Sequence, residues 1–114
     1  MYINLKQIYQ AKATLAGVII PPPLQESRTF SDLTGNDIYM KTENLQKTDS
    51  FKVRGACNKV ANLTDAEKKN GIVAFSAGNH GAGTAYAAQN LGVSASKVKI
   101  MNPVASKKNA IIQY

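Results

Sequence analysis

Ile72-Val73-Ala74-Phe75-Ser76-Ala77-Gly78-Asn79-His80-Gly81-Ala82-Gly83 is the stretch on which the reading of the fold turns. Its first four residues are a short apolar run of the kind that makes a buried strand. A polar, glycine-spaced turn follows at 76–81. Small residues then predict a helix from about 82 to 91, closed by Gly92. At the carboxyl end of a strand, such a turn into a helix is where α/β sheets bind ligands. The backbone N–H groups of the turn and of the helix start suit an anion, a carboxylate or a phosphate. The spacing is G-x-x-G-x-G, which matches neither the dinucleotide fingerprint G-x-G-x-x-G nor a P-loop ending in G-K-[ST]. A tight turn that needs small residues only for packing explains the same spacing.

Upstream, Thr64-Asp65-Ala66-Glu67 has capping-box spacing and opens a short helix that Gly71 ends. Val53, Ala56, Cys57, Val60 and Ala61 form an i, i+3, i+4, i+7, i+8 stripe, so a helix starts near Phe51 or Lys52. Residues 38–43 alternate as a strand, with Gly35-Asn36 marking the turn before it. Pro21-Pro22-Pro23 predicts an extended crossing segment. Residues 4–16 read as an amphipathic helix with Gly17 at its cap. Downstream, 98–101 reads as a strand broken by Asn102-Pro103, and Ser106 as the cap of a last helix. Alternating strands and helices with short links predict an α/β chain, a parallel sheet flanked by helices.

Composition narrows the function. Hydrophobic residues make up 44% and charged residues 18% of 114, which is globular rather than disordered and one domain's worth of chain. No apolar run approaches the ~18 residues of a membrane span, and the N-terminus lacks the apolar core of a secretory signal. The lone cysteine, Cys57, excludes an internal disulfide and fits a reducing cytoplasm. Fourteen Lys plus Arg against seven Asp plus Glu give +7, but the densest basic clusters are the pairs Lys68-Lys69 and Lys107-Lys108. No aromatic residues interleave with them, so a nucleic-acid partner is not expected.

Among residues that could carry chemistry, Lys52 comes first. Beside Phe51 and at a helix start, it lies near the positive pole of the helix dipole. That position and partial burial would disfavour the ammonium form and leave an amine for imine chemistry. A surface lysine snorkelling beside a helix start is the alternative. His80 is the only histidine, so no His-based metal cluster is expected. Cys57 lies on the apolar stripe and reads as core rather than as a nucleophile paired with His80.

Lys41-Thr42-Glu43-Asn44-Leu45-Gln46, Thr48-Asp49-Ser50-Phe51-Lys52-Val53-Arg54-Gly55-Ala56 and Ser76-Ala77-Gly78-Asn79-His80-Gly81 together resemble the fold type II (tryptophan-synthase-type) pyridoxal-phosphate enzymes. Within that group they look most like the threonine/serine dehydratases, over essentially the whole chain. The resemblance implies that Lys52 holds the pyridoxal 5'-phosphate and that Phe51 packs against its ring. It implies that Asn79 bonds the cofactor's 3′-oxygen, and that Ser76, Asn79 and His80 hold the substrate carboxylate. The implied reaction converts threonine or serine to 2-oxobutanoate or pyruvate and ammonia. A serine-racemase-like activity, another fold type II reaction or a non-catalytic remnant is the alternative. Ala77 stands where a serine racemase carries a second, proton-donating serine, which favours elimination. The resemblance further implies a homo-oligomer. It divides the chain into an N-terminal piece of the large domain, 1–52, and an incomplete small domain, 53–114. The glycine loop for the cofactor phosphate and the residue at the pyridine nitrogen then lie beyond Tyr114, and the fragment alone is expected to be inactive.

Overall fold

The structure is a computed structural model that describes residues 2–76 and 78–99. Ala77, the end of the expected strand at Met101, the break at Asn102-Pro103 and the helix capped by Ser106 lie outside the described residues.

The first helix, α1 (Leu5–Thr14), starts on a capping box. Asn4 Oδ1 accepts the Gln7 N–H at 3.0 Å, while Gln7 Oε1 accepts the Asn4 N–H at 2.9 Å. The expected apolar stripe is present, but no residue of α1 is buried; Leu15, just past its end, is the one that reaches the core. Strand β1 (Leu24–Glu26) and strand β2 (Tyr39–Lys41) pair antiparallel, with Gln25 opposite Met40. Helix α2 (Arg28–Thr34) links them, capped by Ser27 and ended by Gly35 at φ +67°. The expected strand is therefore shorter than 38–43, and it has a partner in the segment after the prolines.

Two short 3₁₀ turns, Glu43–Leu45 and Lys47–Asp49, lead into α3 (Lys52–Ala61). The stripe expected for α3 is the buried face: Val53, Ala56, Cys57 and Val60. Cys57 is a free thiol whose pKa burial pushes up to about 11, which fits core rather than nucleophile. Helix α4 (Asp65–Asn70) carries the anticipated box between Thr64 and Glu67 and ends at Gly71. Strand β3 (Ile72–Phe75) runs parallel to β4 (Ala95–Lys99), and α5 (Asn79–Asn90) connects them. This is the parallel pair with a helical crossover that the strand–helix order predicted. Buried strand character did not follow: Val73 is 73% and Phe75 68% exposed, and only Ala74 is buried. A four-residue apolar run implies two covered faces only if partners on both sides exist, and here α5 supplies one.

α5 is the centre of the packing. Gly81 through Ala88 are all buried, because α3, the β3–β4 pair and the second 3₁₀ turn press on it from different sides. Small residues allow that approach. Tyr86 is the large exception, and its hydroxyl donates to the Val18 carbonyl at 3.0 Å, tying α5 to the crossing segment. The core joins Leu15, Val53, Cys57, Val60, Tyr86 and Val93.

Two polar contacts fasten the chain ahead of α3. Gln46 is buried; its Nε2 donates to the Ile20 carbonyl at 2.6 Å, and its Oε1 accepts the Ile20 N–H at 3.1 Å. Arg54 grips Glu43 with two parallel bonds, Nε to Oε2 at 2.9 Å and Nη2 to Oε1 at 2.7 Å. Arg54's hydrogen bond is the main cause holding the Glu43 carboxyl below its ordinary 4.5. A lowered carboxylate contributes stability that is present above its unfolded value and lost as pH falls through its folded one. The difference in thermal midpoint between wild type and Glu43→Gln is therefore expected to be constant from neutral pH down to about 4.5. Below that it should shrink towards zero, which circular-dichroism melts along a pH series would check.

Candidate functional site

The expected site residues come from two helix starts. Lys52 is the first residue of α3, and its N–H donates to the Ser50 hydroxyl at 3.3 Å. Ser50 is buried, so the side chain that receives this bond is fixed while the lysine it holds is not covered. Lys52 is exposed, contrary to the partial burial expected for it, because the α3 stripe turns Val53 inward and leaves position 52 outside. Its Nζ lies 5.0 Å from the centroid of the Phe51 ring, itself 58% exposed. An amine beside a flat aromatic face is what the sequence led one to expect.

On the other side, Ser76 follows β3 and its Oγ accepts the Gly78 N–H at 3.1 Å, which shapes the entry to α5. Asn79 is the first residue of α5 and is exposed; no side chain caps this helix, so the N–H groups of its first turn are free of a cap. With twelve residues of aligned peptides behind it, that end carries a partial positive charge. The site so far is a primary amine, an exposed amide and an N-terminal field.

Gly83 is where α5 meets the start of α3. A Cβ there would stand 3.1 Å from the Val53 nitrogen and 3.2 Å from the Lys52 carbonyl carbon. Asn79 lies four residues earlier on the same face of α5, about 6 Å along the axis from that contact. The start of α3 thus lies at the α3–α5 crossing, with Asn79 one turn away from it along α5. His80 is placed differently. It is exposed and lines a 420 Å³ groove with Gly55, Lys59, Val60, Glu67 and Thr84, and Lys52 is not among the walls of that groove. The third glycine of the G-x-x-G-x-G spacing was visible in the sequence, but its partner was not. The Gln46 clamp and the conformation of Thr48 (φ +65°) left no local signal. No group of His, Cys, Asp and Glu among the described residues could hold a metal ion, and no described helix is long and apolar enough to cross a membrane.

Residues 15–113 match the family model of the pyridoxal-phosphate dependent enzymes. An L-threonine ammonia-lyase of Thermotoga maritima is 51% identical over 96 residues, which is 84% of this chain and 24% of that protein. The catabolic L-threonine dehydratase TdcB of Escherichia coli is 41% identical over 112 residues, 98% of this chain and 34% of that one. The crystal structure of serine racemase from Dictyostelium discoideum superposes with a TM-score of 0.87 at 38% identity, covering 97% of this chain and 36% of that one. The chain thus spans between 24% and 36% of the length of these relatives.

The Gly83 contact makes a direct prediction. Gly83→Ala gains up to about 1 kcal/mol of helix propensity but forces backbone against backbone, at roughly 1–3 kcal/mol, and is expected to lower the urea midpoint. Gly55→Ala, where a Cβ meets nothing within 4 Å, should raise it. Equal effects from the two variants would show that the crossing is not tight.

Proposed function

The chain belongs to the pyridoxal-phosphate dependent enzyme family, in its fold type II architecture, and from that premise we propose that it carries the lysine and the substrate-carboxylate turn of a threonine or serine dehydratase. The observation that supports the proposal is the approach of α5 to the backbone of Lys52 and Val53, one helical turn from Asn79.

The residues present fit the cofactor. The Lys52 amine is reachable and has the flat face of Phe51 beside it. Asn79 is exposed at the head of a helix of twelve residues, where an anion is favoured. In this reading Lys52 would hold pyridoxal 5'-phosphate through Nζ, Phe51 would pack on its ring, and Asn79 would bond its 3′-oxygen. When bound, the cofactor supplies an electron sink for the bond broken at Cα. Asn79, Ser76, His80 and the free N–H groups opening α5 would bind the substrate carboxylate. They would thereby present the Cα–H bond to Lys52 Nζ, which the substrate's own amine would have displaced from the cofactor and left free to take that proton. The β-hydroxyl would leave as water, and a water would then hydrolyse the resulting enamine to ammonia and 2-oxobutanoate from threonine, or pyruvate from serine. Of these groups, His80 has the weakest support from the geometry, since its side chain lines a groove apart from Lys52.

A racemase reading has a specific observation in its favour, the superposition on serine racemase. Ala77 weighs against it, because an alanine beside Ser76 has no proton to deliver to the opposite face. The reading also divides the chain at 52/53 between a large and a small domain, takes a reducing cytoplasm as the setting for the lone thiol, and takes a homo-oligomer as the working form.

Incubation with pyridoxal 5'-phosphate, borohydride reduction and peptide analysis test the assignment. Lys52 is expected to carry the label at least roughly tenfold above any other lysine, a preference of about 1.4 kcal/mol. Label spread evenly over the surface lysines would sink it.

A further inference from the structure

Between the Gln46 clamp and the first turn of α3, the chain takes a step that is unfavourable for the residues that make it. Thr48 has φ +65° and ψ +20°, and Asp49 follows at φ +52°. Both carry a Cβ, which crowds the backbone in the left-handed region, and Thr48 is β-branched as well. Thr48 is also buried, at 8% exposure, and its Oγ1 has no hydrogen-bond partner among the described residues. A turn needed only to redirect the chain is best served by glycine or asparagine, and a buried site needed only to be filled takes valine.

Such features persist where the surroundings over-determine them. Here the surroundings are identifiable. Upstream, Gln46 grips both the N–H and the C=O of Ile20 and also accepts the Lys47 N–H at 3.0 Å. Downstream, Val53 is fully buried, with its backbone against Gly83. Ser50, buried between them, receives the Lys52 N–H. The left-handed step lets both anchors hold at once, and it ends three residues before the lysine.

We propose that Thr48 is a positioning residue: held in the left-handed conformation between the two anchors, it fixes the direction in which α3 begins, and with it the direction in which Lys52 presents its amine. The inference rests on the assignment of Lys52 to the cofactor and deepens it. A step that its anchors and its branched side chain hold in one conformation gives the lysine one exit. A glycine at 48 would have several. Stability is exchanged for direction, and this has a signature that a merely structural residue lacks, since relieving the strain raises stability while it degrades placement.

The test uses the full chain. Thr48→Gly removes the crowded Cβ and the orphaned hydroxyl and frees the backbone. It is expected to raise the thermal midpoint and to lower the preference of borohydride-trapped pyridoxal phosphate for Lys52 roughly tenfold or more. Thr48→Asn, a residue at ease in the left-handed region, is expected to restore the preference. A second measurement needs no cofactor. The Phe51 ring lies 5.0 Å from Lys52 Nζ, so it displaces the Lys52 ε-methylene resonances, and that displacement is expected to shrink in Thr48→Gly. A lowered midpoint in Thr48→Gly overturns the proposal, and so does a raised midpoint with both the labelling preference and the displacement unchanged. If wild type labels no lysine preferentially but the displacement is present and shrinks in Thr48→Gly, positioning stands and the cofactor assignment falls.

Discussion

A Cβ at position 83 would stand 3.1–3.2 Å from the backbone of Lys52 and Val53, so α3 and α5 meet there with no side chain from α5 between them. Much else follows from that closeness. A helix pressed so hard against another, with a sheet and a turn on its other sides, has room only for small residues, and Gly81 through Ala85 are all glycine, alanine or threonine. Tyr86 alone projects far, and it uses its length to reach a carbonyl in the crossing segment. The same closeness sets the backbone of Lys52 directly against α5.

Where periodicity was set by one packed face, the sequence was a good guide. The Val53–Ala61 stripe, the Thr64–Glu67 box with its Gly71 stop, and the strand–turn–helix at 72–90 all appear close to where pattern placed them. The failures share a physical cause: each depended on a partner distant in the chain. Burial of β3 required covers on two faces. Burial of Lys52 depended on which side of α3 the stripe turned. The Gln46 clamp joins an amide to a peptide 26 residues away, and nothing near Gln46 announces it. Two misses were legible after all. Asn4-x-x-Gln7 is a capping signature, and Gly35, taken for turn punctuation, is also the left-handed end of α2.

The candidate site was legible in its parts and not in its assembly. Lysine, phenylalanine and the spaced glycines could be picked out by chemistry alone, whereas Asn79 was singled out only through the family resemblance. That the backbone of Lys52 lies against α5, while His80 lines a groove without Lys52, follows from one helix crossing. The anchors behind Lys52 are likewise non-local: a glutamine gripping the crossing segment, an arginine gripping a glutamate eleven residues back, and a valine pinned under a glycine. The lysine is exposed and flexible in itself, but its point of attachment is not.

The outward sides of β3 bear on how this chain behaves in bulk. Val73 and Phe75 offer water two large apolar groups on a four-residue strand, while the chain as a whole carries a charge of +7. Like-charged molecules keep their distance through that charge, and the repulsion reaches only about 10 Å at 0.1 M salt and about 3 Å at 1 M. The attraction between apolar strand faces needs contact and is not screened at all. Ionic strength therefore acts on this polypeptide as a colloidal control: dilute salt keeps molecules apart, and concentrated salt brings the uncovered faces of β3 within reach of one another.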